Sequence, residues 1–237
     1  MQSISDVVAS SGFIFSGTVL ELRASSVPFV PPNEKLITVR LDQSLRTNPV
    51  LGNLRGQTIT VAVGSSEQFA PGQQVVFLAN SWVHGRGIAV REVAHVDASQ
   101  KDQVAAAVAD LPQRHLLVRL QDAQVVVDAQ ITKIDPPGFS DNLHDALWSA
   151  AHLKLNKTLK GTAPAVFYFA TAPWPPWDHA ARFQKGQRGI FLLHAAPAAA
   201  IRSDSTLPSG GLVAVDDADF QDASQAARIE QLLNTLK

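Results

Sequence analysis

An internal repeat constrains the fold of this chain more than any other feature of its sequence. Two decapeptides, FAPGQQVVFL at 69–78 and FQKGQRGIFL at 183–192, share Phe, Gly, Gln, Phe and Leu at the same positions. In each of them a glycine marks a turn, and the apolar residues after it predict a β-strand. The matches continue beyond these segments, and we therefore predict a unit that is built twice.

The matching segments on both sides of the decapeptides occur in the same order in each copy. Four further pairs are FIFSGTVLEL (13–22) with VVVDAQITKI (125–134), LITVRLDQSL (36–45) with LWSAAHLKLN (147–156), LRGQTITVAV (54–63) with LKGTAPAVFYFA (159–170), and GRGIAVREVAHVD (85–97) with SGGLVAVDDADFQD (209–222). Their alternation of apolar with small or polar residues has the period of a strand. With the decapeptides, they predict five strands in each copy.

Each copy closes with a segment of helical periodicity that begins Asp-Ala-Ser-Gln. Apolar residues recur there at i, i+4 and i+7 and predict one buried helix face, made by Val104, Val108 and Leu111 in the first copy and by Ile229, Leu233 and Leu236 in the second. Ser99 with Asp102 resembles a capping box, and Asp97 and Asp222 are alternative N-caps. Pro112 predicts the end of the first helix.

The predicted domains are residues 1–112 and 113–237. The second domain opens with HLLVRLQDAQ, in which Leu116, Leu120 and Ala123 are spaced to line one face of a short helix. The matching segment at the start of the chain, SISDVVASSG, is shorter.

The loops of the two copies differ in length. Gly56 and Phe69 are 13 positions apart, whereas Gly161 and Phe183 are 22 apart, so the second copy has about nine extra residues before its fourth strand. The first copy is longer either in ASSVPFVPPNEK or around RTNPVLGN. Repeats that keep their strands and vary their loops are expected to carry their specificity in the loops.

Short strands, glycine turns and a closing helix predict a small barrel, which also removes exposed strand edges. The order of the motifs resembles the netrin-like or TIMP-like family of OB-type barrels, with FIFSGTVLEL as first strand, LRG and LKG as turns, and the two decapeptides. The resemblance implies a mainly β fold with α-helices: two tandem OB-like five-stranded β-barrels, each closed by a C-terminal α-helix.

The chain departs from that family in having no cysteine. The family's inhibitors engage a protease metal through an N-terminal cysteine, and this mechanism therefore carries over to no residue here. The absence of cysteine also excludes disulfides, thiolate metal sites and a cysteine nucleophile. Exported bacterial proteins contain cysteine-free barrels of this type, so the resemblance implies a periplasmic or secreted protein.

Charge and hydropathy exclude further classes of function. The net charge of −1 and the pI near 6.6 provide no overall field for nucleic acid or an anionic membrane. No segment approaches the roughly 20 apolar residues of a membrane-spanning helix. The start, MQSISDVVAS, lacks the features of a signal peptide, so we expect either a mature chain with Met1 supplied for expression or a cytoplasmic protein.

The candidate partner-binding residues lie in the extra loop of the second copy, APWPPWDHAARF. They are Trp174, Pro175, Pro176, Trp177, Asp178 and His179. The two prolines favour a polyproline II path, on which tryptophans three residues apart project from the same side. Exposed tryptophans are common at binding hot spots. The alternative is that both rings fold down and cap the open end of the barrel.

Two other loops are candidate metal sites. Asp141, His144 and Asp145 would form a zinc site if they met Asp178 and His179 at one barrel end. Nothing in their spacing requires this, and surface histidines are the alternative. The acidic run VDDADFQD lacks the glycine and final glutamate of a calcium loop and is better placed to favour the last helix. We therefore predict no metal and no other cofactor.

Enzymatic motifs are missing from the sequence: it contains no G-x-S-x-G, P-loop or G-x-G-x-x-G. Phe167 and Phe169 share one face of a strand and most simply fill the core, which leaves no aromatic platform for single-stranded nucleic acid. The prediction is a non-enzymatic binding or scaffold protein whose partner is a protein or a component of the cell envelope. The alternatives are a metal-binding or protease-inhibitor-like module and a single-stranded nucleic-acid-binding protein.

Overall fold

The computed structural model of the chain describes residues 3–85, 87–137, 147–171, 182–196 and 207–236. The chain folds as two compact units, Met1–Leu111 and Pro112–Lys237. The α-helices of the described residues are α1 (Ile4–Ser10), α2 (Lys101–Asp122) and α3 (Ala226–Thr235). None of these helices combines the length and the apolarity needed to cross a membrane.

The first unit is a closed five-stranded barrel. Its strands are β1 (Phe13–Leu22), β2 (Leu36–Arg46), β3 (Thr58–Ala62), β4 (Gln74–His84) and β5 (Ile88–Asp97). They are arranged in the order β1-β2-β3-β5-β4, with β3 and β5 parallel and the other pairs antiparallel. Phe13, Phe15 and Phe77 fill the interior, and the ring centroids of Phe15 and Phe77 are 5.2 Å apart.

The second unit is a closed barrel of the same kind with a divided fifth strand. Its strands are β6 (Val125–Asp135), β7 (Trp148–Lys160), β8 (Val166–Ala170), β9 (Arg188–Ala195), β10 (Leu212–Val213) and β11 (Phe220–Asp222). β10 pairs with both β8 and β9 and closes a five-stranded ring, while β11 continues along β9. The predicted fold class of two five-stranded barrels is confirmed.

The two barrels share strand register as well as strand order. Phe13 pairs with Ala79 between β1 and β4, and Val125 pairs with Leu193 at the equivalent place between β6 and β9. The first two strands of each barrel also contain bulged residues at equivalent positions, Leu20, Asp42 and Leu45 in the first barrel and Thr132, Asn156 and Leu159 in the second. Bulges bend and twist a strand, as closure of a small barrel requires. The tandem repeat is therefore confirmed.

The repeated decapeptides form the same turn in both units. Gly72 and Gly186 have φ angles of 83° and 89°, which glycine adopts without strain. Each glycine N–H donates to a carbonyl oxygen of the first strand of its barrel at 2.8 Å. The side-chain oxygens of Gln73 and Gln187 accept hydrogen bonds from the backbone N–H three residues earlier, at 2.9 and 3.1 Å. The glycine and glutamine recur because the turn needs both.

The predicted alignment of the second strands is wrong by three residues. Setting 36–45 against 147–156 makes Trp148 the counterpart of Ile37, whereas pairing with the first strands makes Ala151 its counterpart. Alternation of apolar and polar residues defines a strand but not its partner positions. The register is set by hydrogen bonds to a strand that is distant in the sequence.

The predicted equivalence of the LRG and LKG turns is also wrong. Gly161 directly follows β7, whereas Gly56 lies in the loop before β3. Both have positive φ angles, 71° and 81°, so glycine marks two different turns. Eleven residues separate β2 from β3 and five separate β7 from β8, so the first copy is longer around RTNPVLGN, one of the two predicted places.

Helices cover one outer face of each barrel. In the first unit α1 and the first half of α2 pack on β1 and β4, in a cluster formed by Val8, Ile14, Val76, Leu78 and Val104. In the second unit the other half of α2 and α3 pack on β6 and β9, in a cluster formed by Leu116, Leu120, Val126, Ile190, Leu192, Ile229 and Leu233. The predicted faces are buried at Val104, Leu116, Leu120, Ala123, Ile229 and Leu233. Val108 and Leu111 are partly buried, and Leu236 is 39% exposed.

The predicted helix end at Pro112 is wrong, because α2 continues through this residue to Asp122. A proline inside a helix removes one backbone hydrogen bond and costs about 3 kcal/mol. Val104 before the proline is fully buried, and so is Leu120 after it. Burial of these side chains on both sides offsets the cost, and the two predicted helices form one.

The candidate N-caps Asp97 and Asp222 are confirmed. Each carboxylate accepts a hydrogen bond from the backbone N–H two residues further on, Ser99 and Ser224, at 2.9 Å. These hydrogen bonds lower the pKa of both aspartates below their ordinary value. The shared Asp-Ala-Ser-Gln is therefore a single turn of 3-10 helix that starts each closing helix.

Candidate functional site

The predicted partner-binding residues lie outside the part of the chain that the structure describes. Trp174, Pro175, Pro176, Trp177, Asp178 and His179 fall within 172–181, and the candidate zinc ligands Asp141, His144 and Asp145 fall within 138–146. Their roles stay predictions. Among the described residues, no group of three His, Asp or Glu side chains is placed to hold a metal ion.

Two bulged residues on the β4–β5 pair of the first barrel have large, exposed apolar side chains. Ser81 pairs with Val90 and Val83 pairs with Ala89, which leaves Trp82 between them as a bulged residue. Val93 is bulged in the same way on β5. Trp82 and Val93 are 40% and 45% exposed. Bulges are frequent beside functional sites, and here they coincide with apolar surface in solvent.

Arg91 holds its guanidinium group over the exposed tryptophan. The guanidinium carbon of Arg91 lies 5.7 Å from the centroid of the Trp82 ring, within the range of a cation–π interaction. Arg91 makes no ion pair with any residue that the structure describes. Within the described part of the chain, the pair therefore presents an aromatic ring together with a positive charge that has no ion-pair partner.

These two side chains border an open groove of about 420 Å³ at one end of the first barrel, where β3 ends and β2 begins. Leu36, Ala62 and Val63 contribute apolar surface to this groove, and Lys35 lies beside them. The Lys35 side chain has no ion-pair partner among the described residues. We call this site the Trp82 groove.

Glu92 also lines the Trp82 groove, but its carboxylate faces His95. Its carboxylate contacts the Nδ1 atom of His95, and the Glu92 side chain is only 10% exposed. The His95 ring in turn packs on Phe69, with centroids 4.7 Å apart. The cations Lys35 and Arg91 therefore dominate the exposed charge of the groove.

The lining of the Trp82 groove suits the binding of a ligand. The groove lining combines apolar, aromatic and cationic groups, and its one carboxylate already has a partner. Such a surface can bind a ligand of complementary shape and charge.

A second candidate is a buried ionic network in the second unit, centred on Asp219. The carboxylate of Asp219 is fully buried and accepts five hydrogen bonds. Arg119 donates two through Nε and a terminal nitrogen, at 2.7 and 2.6 Å, and His194 donates one through Nε2 at 3.0 Å. The backbone N–H groups of Val215 and Asp216 donate the others, at 2.8 and 3.0 Å.

These donors keep Asp219 ionised although it is buried. Burial alone would raise the pKa of Asp219, but the hydrogen bonds from His194 and Arg119, the charge on His194 and the N–H of Val215 lower it below the ordinary value of 3.8. Both carboxylate oxygens thus have donors, as a buried carboxylate requires.

The Asp219 network is an anchor for a helix. Asn80 occupies the position in the first barrel that His194 occupies in the second, since each follows the core phenylalanine of the fourth strand by three residues. The side chain of Asn80 bonds to Gly12 N–H at 2.7 Å and to the Ser10 carbonyl at 3.2 Å, where α1 ends. His194 reaches Arg119 of α2 through Asp219. The same position thus ties the opening helix to the barrel in both units.

His152 lies on β7, in the wall of the second barrel. Its Nε2 atom is 2.6 Å from the Asp135 carboxylate, which also pairs with Lys133. The hydrogen bonds from Lys133 and from His152 lower the pKa of Asp135. The three side chains form a surface ion cluster rather than a reactive site.

Reasoning from the sequence missed the Trp82 groove, although the repeat contains a signal for it. Trp82 stands where the second copy has Ala196, and Arg91 stands where it has Val213. A large exposed residue in one copy and a small apolar residue in the other mark a place where the copies differ in role. This comparison depends on the strand register, which the sequence alone does not supply.

Comparison of the chain with protein-family models and with curated proteins found no match. The barrels are thus established by the structure itself.

Proposed function

We propose that this chain is a non-enzymatic binding protein that recognises a protein partner through the ends of its barrels. The observation that supports the proposal most directly is the exposure of Trp82 and Val93 at two bulges of one strand pair. A strand that only closes a barrel has no need to present a tryptophan to solvent. Tryptophan and arginine are the residues that most often dominate binding energy at protein interfaces.

An extracytoplasmic location belongs to the same proposal. It follows from the resemblance of the repeated motifs to netrin-like barrels and from the absence of cysteine. Such a protein would act as a scaffold or recognition module in the periplasm or outside the cell.

Replacing Trp82 by Ala is expected to weaken partner binding by about 2 kcal/mol or more, the scale of a hot spot. The side chain is partly exposed, and the melting temperature should change little. Affinity capture from the native host, followed by titration of the captured protein, measures the effect. Val50→Ala is the control, because Val50 is 90% exposed and lies outside the Trp82 groove. Equal capture by both variants and the unmodified chain would contradict the assignment of this surface.

The extra loop of the second copy remains a separate part of the proposal. Replacing both Trp174 and Trp177 by Ala is expected to weaken partner binding by at least about 2 kcal/mol and to leave stability nearly unchanged. We expect the two prolines, Pro175 and Pro176, to restrict the loop and so to reduce the conformational entropy that is lost on binding. If the rings cap the barrel instead, the melting temperature will fall by more than about 8 °C, and the binding role is then withdrawn.

A further inference from the structure

We propose that the Trp82 groove binds carboxylate groups of an acidic peptide segment. This inference rests on the proposed function and specifies its ligand: a chain that carries Asp or Glu side chains together with an aliphatic residue. Three observations support it, namely the divergence of the two copies at this place, the uncompensated cations and the occupied face of the tryptophan.

The second copy fills the place that the first copy leaves open. Ala62 pairs with Arg91 in the first barrel, and Tyr168 pairs with Val213 at the equivalent place in the second. Val213 is fully buried and packs with the buried Trp148, Ala170 and Leu207 and the partly buried Tyr168. The repeat can therefore close this end with its own side chains. The first copy has Arg91 there instead, beside a groove of about 420 Å³.

The charge of the open groove favours carboxylates. Lys35 and Arg91 are exposed, and neither has an ion-pair partner among the residues that the structure describes. A guanidinium group that lies over a ring keeps N–H donors at its edge for a planar carboxylate. Trp82, which is 40% exposed, gives the groove apolar surface beside the nearly buried Leu36 and Val63. An acidic residue next to an aliphatic one satisfies both features.

Single-stranded nucleic acid fits this groove less well. Base binding needs a free aromatic face and a basic track along the backbone. Arg91 already lies over the Trp82 ring, and only two cations line the groove, beside Glu92. The net charge of −1 adds no attraction for a polyanion. We therefore assign the groove to an acidic peptide, and nucleic acid becomes an outcome of the test.

The test is an NMR titration of the full chain with the capped peptide Glu-Glu-Leu-Glu-Glu, read at the Trp82 indole N–H and at the amides of Lys35 and Leu36. These signals should shift, and the peptide with Gln in place of Glu should bind about tenfold more weakly, because each exposed charge pair supplies a few-fold in affinity. The double variant Lys35→Gln, Arg91→Gln should bind the Glu peptide about tenfold more weakly than the unmodified chain does. The variant Arg55→Gln, Lys185→Gln removes the same charge elsewhere and should bind the Glu peptide normally.

The outcomes separate this inference from the proposed function. Equal binding of the Glu and Gln peptides, no shift with either, or shifts with oligothymidylate but not with the Glu peptide would each overturn the carboxylate site. If binding of a captured partner is then weakened by Trp82→Ala but not by the Lys35→Gln, Arg91→Gln variant, the proposed function stands and only the carboxylate site is given up. Loss of the amide pattern in the double variant would indicate misfolding, and Arg91→Gln alone then replaces it in the same titration.

Discussion

Replacing Asp219 by Asn is expected to destabilise the second unit by about 3 kcal/mol, within the range for breaking a buried ion pair. The amide matches the carboxylate in shape but presents N–H groups where Arg119 and the backbone N–H groups of Val215 and Asp216 also donate. Arg119, whose side chain is 18% exposed, would lose its counter-charge. Hydrogen exchange of the most protected amides of β6 and β9 measures the free energy of unfolding of this unit.

The effect of this substitution should depend on pH in a defined direction. The pKa of Asp219 in the folded protein lies below its ordinary value of 3.8, so ionised Asp219 stabilises the fold fully above that pH. Its contribution is lost as the pH falls further, through the lowered pKa. The free-energy difference between the unmodified chain and Asp219→Asn should therefore be largest near neutral pH and shrink below about pH 3.8.

Asp217→Asn is the matched control, because Asp217 is exposed and lies in the same turn of 3-10 helix. It should change stability by no more than about 0.5 kcal/mol. If Asp219→Asn is equally mild at neutral pH, the network does not anchor α2, and the role assigned to His194 and Arg119 fails with it.

Replacing Leu233 by Asp is expected to destabilise the second unit by about 4 kcal/mol, because it removes a buried side chain and introduces an unpaired charge. Leu233 is 7% exposed and packs against the outer faces of β6 and β9, with Val126 and Leu192 among its cluster. Urea unfolding followed by circular dichroism measures the loss of stability.

Gln231→Asp provides the comparison for Leu233→Asp. Gln231 lies on the same helix and is exposed, so it experiences the same helix dipole without the burial. The free energy of unfolding of the Gln231→Asp variant should stay within about 0.5 kcal/mol of that of the unmodified chain. A Leu233→Asp chain as stable as the Gln231 variant would mean that α3 does not pack on the barrel.

Much of the architecture follows from local patterns that recur in the sequence. Gly72 and Gln73 return as Gly186 and Gln187 because one turn needs a positive φ and the next residue closes it with its side chain. Asp97 starts a closing helix by a hydrogen bond that spans two residues. Periodicity identified the strands and the buried helix faces, because apolar residues recur every 2 residues in a strand and every 3.6 residues in a helix.

The candidate site depended on contacts that no local pattern encodes. Trp82 is a bulged residue, and a bulge exists only relative to a partner strand. Pro112 breaks a helix by local rules, yet α2 continues through it because buried residues on both sides stabilise the helix. The strand register of the two barrels makes Ala196 and Val213 the counterparts of Trp82 and Arg91.

The sequence by itself determined that this protein is one barrel unit built twice, with the turn before each fourth strand and the caps of its closing helices. The tertiary structure alone decided which strand positions pair, where the bulges fall, and that Arg119 meets Asp219 across 100 residues of chain. The physical reason is the distance along the chain over which each interaction acts. Turn chemistry and side-chain periodicity act over a few residues, whereas register and buried ion pairs are fixed by distant segments that meet only when the barrel closes.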